Sequence, residues 1–96
     1  FDKNNLQQTG RNQDILNLGN LPEKLNSFGW DTHEIDGHNI KELLEILNKK
    51  DTKQKPTSII ANTVKGKGFS FSENNNQWHH TILTKKNYDL ALQELN

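Results

Sequence analysis

The residue types best suited to bind a ligand lie together in one stretch of the chain, residues 63–79 (T-V-K-G-K-G-F-S-F-S-E-N-N-N-Q-W-H). Gly66 and Gly68 allow the backbone to turn sharply and to approach a ligand without a Cβ in the way. Lys65 and Lys67 add positive charge beside the glycines. The combination indicates a site for a phosphorylated ligand, and the alternative is a solvated turn whose lysines face water. From these residues alone the solvated turn is favoured, because K-G-K-G does not specify a complete phosphate-binding loop.

A second candidate site lies near the start of the sequence, in the polar segment 2–10. The amide oxygen of Asn4 and a nearby backbone carbonyl can act as ligands for Mg²⁺, which prefers oxygen ligands in octahedral geometry. The same residue types also suit an ordinary turn, since Asn and Asp side chains bond their own backbone. From the residue types alone, the turn is favoured over the metal site.

Both segments need strands to position them. The run 57–64 (T-S-I-I-A-N-T-V) predicts a buried strand, so that Lys65 begins just beyond its carboxyl end. In open α/β sheets, ligands bind in the crevice outside the carboxyl ends of the strands. Phe1 is interpreted as the last residue of another strand, which passes into the loop that contains Asn4.

Helical and strand patterns alternate along the rest of the chain. Asn20, Asn39 and Thr84 have the spacing of helix N-caps, and Glu42 completes a capping box with Asn39. The predicted elements are a polar linker over 11–20, a helix after Asn20 with Leu21, Leu25 and Phe28 on one face, a strand over 30–36, a helix after Asn39 whose stripe of Ile40, Leu43, Leu44 and Leu47 faces a sheet, a charged connection over 48–56, and a last helix after Thr84.

Strands separated by helices of this length predict parallel pairing and an α/β fold. Two or so short strands do not complete a parallel sheet, which needs both faces covered. The fold is therefore expected to be incomplete at its N-terminus and to continue in a longer protein. A chain of 96 residues makes one small domain at most, and an apolar fraction of 30% is lean for a self-contained core.

Charge and cysteine content exclude several classes of function. Twelve basic and twelve acidic residues cancel, so the charge gives no case for binding nucleic acid or a membrane surface. The chain has no cysteine, and therefore no disulfide framework, thiolate metal site or cysteine nucleophile. No transmembrane or signal-peptide pattern is seen, and a cytoplasmic location is expected.

Four blocks cover nearly the whole sequence. They are F-D-K-N-N-L-Q-Q-T-G at 1–10, F-G-W-D-T-H-E-I-D-G-H-N at 28–39, K-P-T-S-I-I-A-N-T-V-K-G-K-G-F-S-F-S-E at 55–73, and N-N-N-Q-W-H-H at 74–80. Together, and in this order, they resemble the transketolase family. The likeness is strongest to the separate N-terminal subunit of split transketolases.

The resemblance implies a thiamine-diphosphate-binding fold with a parallel sheet, in which residues 1–96 form the C-terminal portion of the diphosphate-binding domain. It implies that the Asn4 side chain and the backbone carbonyl of Leu6 bind Mg²⁺, which in turn holds the diphosphate. His79 is expected to lie near the diphosphate and the substrate, as a catalytic and cofactor-binding residue.

Lys65 and Gly66, in the loop after the predicted strand 57–64, are also expected to contact the cofactor. Two departures from the family pattern are visible: the family's Gly-Asp-Gly motif is absent, and His80 stands where the family has Gly. The other histidines and the tryptophans are assigned structural roles, namely His33, His38, Trp30 and Trp78.

The implied activity is transfer of a two-carbon ketol unit between sugar phosphates. The alternatives are another thiamine-diphosphate enzyme, such as 1-deoxyxylulose-5-phosphate synthase, and a non-catalytic remnant or interaction domain. The implied partner is a pyrimidine-binding domain or a C-terminal transketolase subunit, in a homodimer or a heterotetramer. The chain alone is expected to be inactive, because the cofactor-activating glutamate of the family belongs to that partner.

Overall fold

The computed structural model describes residues 1–49 and 54–95, which form two compact units. The first unit comprises residues 1–4 and the described part of 17–63; the second comprises residues 5–16 and the described residues from 64 onward. In chain order the elements are β1 (Asp2–Lys3), β2 (Leu6–Gln7), β3 (Gly10–Arg11), α1 (Asn12–Ile15), α2 (Leu21–Ser27), β4 (Asp31–Asp36), α3 (Ile40–Leu47), β5 (Thr57–Asn62), a 3₁₀ helix (Asn76–His79) and α4 (Lys85–Glu94).

A three-stranded sheet in the first unit has β5 in the centre, β1 on one side and β4 on the other. Both pairings are parallel, with Asp31 opposite Thr57 and Asp2 opposite Ala61. Parallel strands connected through helices confirm the predicted α/β class. The carboxyl ends of the three strands lie at one edge of the sheet, and Asn4 follows β1 at that edge.

Polar side chains on one face of this sheet bond across the strands. Glu34 Oε1 accepts hydrogen bonds from Lys3 Nζ (2.9 Å) and Asn62 Nδ2 (3.1 Å), so one carboxylate links β1, β4 and β5. Ser58 Oγ donates to Thr32 Oγ1 (2.7 Å) on the same face. The alternation of side chains along each strand, together with the parallel register, places all five residues on that face.

The two helices of the first unit begin at predicted caps. Asn20 Oδ1 accepts from the backbone N–H of Glu23 (3.2 Å) at the start of α2, and Asn39 Oδ1 accepts from that of Glu42 (3.3 Å) at the start of α3. The second half of the capping box differs from the usual pattern, because Glu42 Oε2 accepts from the N–H of Asp36 (3.0 Å) rather than from that of Asn39. The helix start is thereby bonded to the end of β4.

The core of the first unit is small. Ile60 in β5 is fully buried, and it is the only buried hydrophobic residue among those the structure describes. Ser58 in the same strand is 3% exposed. Phe28 of the predicted apolar stripe directly follows α2 and is 81% exposed. The lean composition predicted such a core.

The predicted contact face of α3 is partly wrong. Leu43 and Ile46 are half-buried, and α3 contacts β4. Ile40, Leu44 and Leu47 of the predicted stripe are mostly exposed. The apolar surface of this helix is therefore wider than the part that a sheet of three strands covers.

The second unit begins with a short hairpin that the sequence pattern did not predict. β2 and β3 pair antiparallel, with Leu6 opposite Arg11. The N–H of Asn12 donates to the carbonyl of Asn5 (2.9 Å), and α1 follows at once. The predicted linker over 11–20 is therefore wrong in its first half, because a helix of four residues is too short to show a helical period.

The remaining boundaries shift by one or two residues. β4 begins after Trp30, and β5 ends before Val64, because its partners β1 and β4 end at the same level of the sheet. In the second unit, Thr84 Oγ1 accepts from the N–H of Asn87 (3.2 Å), so α4 begins at its predicted cap. Residues 50–53 of the predicted charged connection lie outside the described residues.

Candidate functional site

The basic loop, defined as residues 65–74, closes on itself within the second unit. The N–H of Asn74 donates to the carbonyl of Lys65 (2.9 Å) and joins the two ends. Ser72 is 6% exposed, and its Oγ donates to the carbonyl of Gly66 (2.9 Å). The chain's own hydrogen bonds therefore determine the shape of this loop.

Two carboxylates accept from N–H groups of the basic loop. Glu73 Oε1 accepts from the N–H of Gly68 (3.1 Å). Glu94 in α4 accepts from the N–H of Ser70 (2.8 Å) and from its hydroxyl. A phosphate would have to displace a carboxylate to reach either N–H group. The two lysine side chains of this loop remain as candidates for phosphate recognition; Lys65 is half-buried and Lys67 is exposed.

Gly66 permits a close approach of the chain to itself. Its φ is +70°, and a Cβ at this position would lie 2.4 Å from the carbonyl oxygen of Ser72. Gly68 has a φ of +107°, but a Cβ there would meet no atom within 4 Å. The loop conformation thus requires the first glycine for steric reasons of its own, and the contact of Gly66 with a cofactor stays a prediction.

His79 ends the 3₁₀ helix and is exposed. Asn75 caps that helix, since its Oδ1 accepts from the N–H of Gln77 (3.0 Å). His80 follows with φ −150° and ψ 93°, an extended conformation that any residue adopts. A histidine in place of the family's glycine therefore imposes no backbone strain, and the His79 imidazole is accessible to a ligand.

An aromatic cluster packs the basic loop against the 3₁₀ helix. The ring centroid of Phe71 lies 4.9 Å from that of Trp78 and 5.7 Å from that of Phe69. Aromatic pairs of this kind contribute about 0.5–1.5 kcal/mol beyond their area burial. Trp78 is therefore a packing residue, as predicted, and the cluster places the lysine-bearing loop and His79 in one packed unit.

The two predicted metal ligands lie in different parts of the fold. Asn4 is half-buried at the end of β1 in the first unit, whereas Leu6 lies in β2 in the second. Asn5 between them has a φ of +61°, the left-handed conformation that asparagine tolerates best among residues with a Cβ. The metal-binding roles of Asn4 and Leu6 stay predictions.

An amide oxygen and a backbone carbonyl are chemically suited to Mg²⁺, which takes a few protein oxygens and completes its octahedron with phosphate oxygens and water. Within residues 1–49 and 54–95, no group of three or more His, Cys, Asp and Glu side chains could hold a metal ion. The oxygen donors of Asn4 and Leu6 have the chemistry of ligands for a Mg²⁺ ion that is also bound by phosphate oxygens.

His33 makes a side-chain contact that agrees with its predicted structural role, and the role of the His38 side chain stays a prediction. In β4, His33 Nε2 lies 3.0 Å from Asp31 Oδ2. In the following turn, the backbone N–H of His38 donates to Asp36 Oδ1 (2.9 Å). Both contacts order the strand and its turn.

The sequence pattern assigns no role to Ser70, Glu73 or Glu94, although all three order the basic loop. Glu73 follows Gly68 by five residues, so a local signal existed. Glu94 is 24 residues from Ser70, and only the packing of α4 brings the two together. A contact that forms only when a helix packs against a loop cannot be predicted from the spacing of neighbouring residues in the sequence.

A comparison of the chain with known protein families identifies its family. Residues 1–95 match the family described as Transketolase, thiamine diphosphate binding domain. The chain belongs to the transketolase family. The resemblance seen in the four sequence blocks is thereby confirmed, and the parallel sheet is consistent with a thiamine-diphosphate-binding fold.

Curated relatives agree with this assignment. One of the subunits of the apulose-4-phosphate transketolase of Actinobacillus succinogenes is 40% identical over 94 residues, covering 98% of this chain and 34% of that protein. The 6-deoxy-6-sulfo-D-fructose transketolase subunit SqwG of a Clostridium species is 40% identical over 95 residues, again covering 98% and 34%. Mouse transketolase is 33% identical over 95 residues, covering 99% of this chain and 15% of the enzyme. This chain thus spans about a third of the length of the Actinobacillus and Clostridium subunits.

The described parts of this transketolase-family chain contain no helix of the length and apolar character needed to cross a bilayer.

Proposed function

We propose that this chain acts within a transketolase that transfers a two-carbon ketol unit between sugar phosphates. The observation that carries the proposal is the family match over residues 1–95. A second support is that the lysine-bearing loop and the exposed His79 belong to one packed unit. In this proposal the chain is the C-terminal portion of the diphosphate-binding domain.

Thiamine diphosphate, when bound, supplies the carbanion chemistry, and the protein supplies binding and orientation. The Asn4 amide oxygen and the Leu6 carbonyl would ligate Mg²⁺ on the diphosphate side. Lys65 would offer an ammonium group to a phosphate oxygen, and Gly66 would hold the loop in the shape that presents it. These roles rest on the family pattern and on the donor chemistry of the residues.

His79 would act at the substrate end of the same site. A neutral imidazole donates a hydrogen bond from one ring nitrogen, and a charged one donates from both. At the exposed end of the 3₁₀ helix, such a donor can bond a phosphate oxygen or stabilise negative charge on a substrate carbonyl oxygen. His79 therefore serves best as a hydrogen-bond donor that orients the substrate.

The partner would be a pyrimidine-binding domain, either in the same polypeptide or in a second, C-terminal subunit. Two of the relatives are named as transketolase subunits, which favours a separate partner chain in an assembly such as a heterotetramer; a homodimer is the alternative. A cytoplasmic location accompanies this proposal.

The test uses the complete enzyme with its partner subunit. Calorimetry should give Mg²⁺-dependent binding of thiamine diphosphate, and ketol transfer should follow in an assay with sugar phosphates. Asn4→Ala should weaken cofactor binding about 10- to 100-fold, because loss of a metal ligand or its support has effects of that size. Asn26→Ala, on an exposed position of α2, is the matched control and should leave binding unchanged.

The possible outcomes separate the alternatives. Cofactor binding without ketol transfer would favour another thiamine-diphosphate reaction, such as that of the 1-deoxyxylulose-5-phosphate synthases. No cofactor binding by the complete protein would favour a non-catalytic remnant. An affinity unchanged by Asn4→Ala would remove Asn4 from the metal site and leave the remaining assignments standing.

A further inference from the structure

Asn76 connects the turn that carries His79 to the hairpin that carries Leu6. It is the first residue of the 3₁₀ helix, and its Nδ2 donates to the backbone carbonyl of Gln8 (3.0 Å), although the two residues are 68 positions apart. Gln8 directly follows β2, and β2 itself contacts the 3₁₀ helix. The hydrogen bond therefore fixes one surface element on another within the second unit.

The spacing of Asn76 and His79 means that the hydrogen bond of Asn76 also affects where His79 lies. A 3₁₀ helix has three residues per turn, so side chains at positions i and i+3 lie one above the other. Asn76 and His79 have that separation and occupy the first and last positions of the helix. The face that Asn76 holds against the hairpin is therefore the face from which His79 projects.

The amide of Asn76 can make this bond in one orientation only. Its Oδ1 is buried and has no hydrogen-bond partner. If the amide were rotated by half a turn, Oδ1 would face the Gln8 carbonyl, and two acceptors would repel each other. The donor Nδ2 is thus the functional group, and an acid of the same shape cannot replace it.

We infer that Asn76 is a positioning residue, which holds His79 on the hairpin side of the second unit. This inference rests on the proposed function, because it assumes the proposed role of His79. The hydrogen bond between Asn76 and Gln8, which is called the tie below, can be tested without measuring activity. Asn76 does not need to touch substrate or cofactor for this role. It acts through the His79 turn.

Amide hydrogen exchange on the complete protein tests the tie. Asn76→Ala and Asn76→Asp should both speed exchange, by about fivefold, in peptides covering 6–11 and 76–80, because each removes the Nδ2 donor to Gln8. Gln77→Ala is the matched control: it is an exposed neighbour on the same helix and should leave both peptides unchanged. Unchanged exchange in Asn76→Ala would overturn the inference whatever the activity of the protein.

A double-mutant cycle tests whether the tie acts through the histidine. In the complete enzyme, Asn76→Ala should lower kcat about tenfold with little change in the KM for the sugar phosphate. In a His79→Ala background the same substitution should change kcat less than twofold, since the group that it positions is gone. Equal losses in both backgrounds would mean a general structural role and would overturn the inference.

The two experiments keep the proposals apart. If the parent protein transfers no ketol unit, the proposed function fails, while faster exchange in both peptides still supports the tie between Asn76 and the hairpin. If ketol transfer is present and kcat is unaffected by Asn76→Ala, the positioning role fails and the proposed function stands.

Discussion

At the scale of single residues, three consecutive asparagines contribute in three different ways. Asn74 has a φ of +51°, a left-handed conformation that asparagine tolerates better than most residues with a Cβ. Asn75 caps the 3₁₀ helix through its Oδ1. Asn76 bonds the hairpin through its Nδ2. A run that resembles low-complexity sequence thus consists of a turn residue, a helix cap and a residue that hydrogen-bonds the hairpin.

Gly66 is the residue at which a side chain would do most harm to the basic loop. Gly66→Ala should reduce the free energy of unfolding by about 3 kcal/mol or more, since it combines backbone strain with a Cβ placed 2.4 Å from the Ser72 carbonyl oxygen. Gly68→Ala should lose only about 1–2 kcal/mol, because strain is present without a clash. Urea unfolding of the complete protein, followed by tryptophan fluorescence, measures both. Equal losses at the two positions would contradict the close approach of Gly66 to Ser72.

At the scale of the elements, one carboxylate joins all three strands of the sheet. The hydrogen bond from Lys3, then that from Asn62, hold the pKa of Glu34 below its ordinary value of 4.5. A carboxylate with a depressed pKa contributes stability that is present above its unfolded pKa and is lost as the pH falls through its folded pKa. The side chains of Lys3 and Glu34 are 34% and 41% exposed, so solvent screening keeps the contribution small.

Glu34→Gln tests this contribution through its pH dependence. At pH 6 the substitution should lower the free energy of unfolding by roughly 0.5–1 kcal/mol, and well below pH 4.5 the difference from the parent should vanish. Urea midpoints at the two pH values measure it. Glu45→Gln, whose partner Lys41 lies 3.9 Å away on the exposed face of α3, should change little at either pH. A difference that persists at low pH would mean that Glu34 acts through packing.

Local chemistry predicted the element starts well and the longer-range contacts poorly. Asn20, Asn39 and Thr84 are caps because their side-chain oxygens satisfy N–H groups within three residues, and that information lies in the local sequence. The β2–β3 hairpin was not predicted, since its strands of two residues are too short to show an alternation. The exposed side of α3 was not predicted either, because the amount of apolar surface that becomes covered depends on what packs against the helix. The contact of Glu94 with the basic loop was not predicted for the same reason, since it depends on how α4 packs.

At the scale of the whole molecule, the core of the described residues is small. Ile60 is the single buried hydrophobic side chain in the described part of the chain, and large apolar side chains such as Phe28 and Leu47 are mostly exposed. Hydrophobic burial has to offset about 1–2 kcal/mol of backbone entropy per residue. A core with one fully buried hydrophobic side chain is expected to fall short of that cost.

The isolated 96 residues should therefore fold marginally or not at all. Circular dichroism should give a shallow thermal transition and a weak near-ultraviolet signal, whereas the complete protein should melt cooperatively. The complete protein, measured in the same buffer, serves as the control. A cooperative melt of the isolated chain above about 60 °C, at the upper end for ordinary domains, would contradict this prediction.

The central position of β5 also determines the order in which the sheet can form. The outer strands β1 and β4 each pair with β5, which is the last of the three in the sequence. On the ribosome, the edges of β1 and β4 that pair with β5 therefore stay without that partner until residue 62 has emerged. Strand edges that wait in this way are prone to pair with other chains. The interval between the synthesis of β1 and that of β5 is therefore the one in which these two edges are open to such pairing.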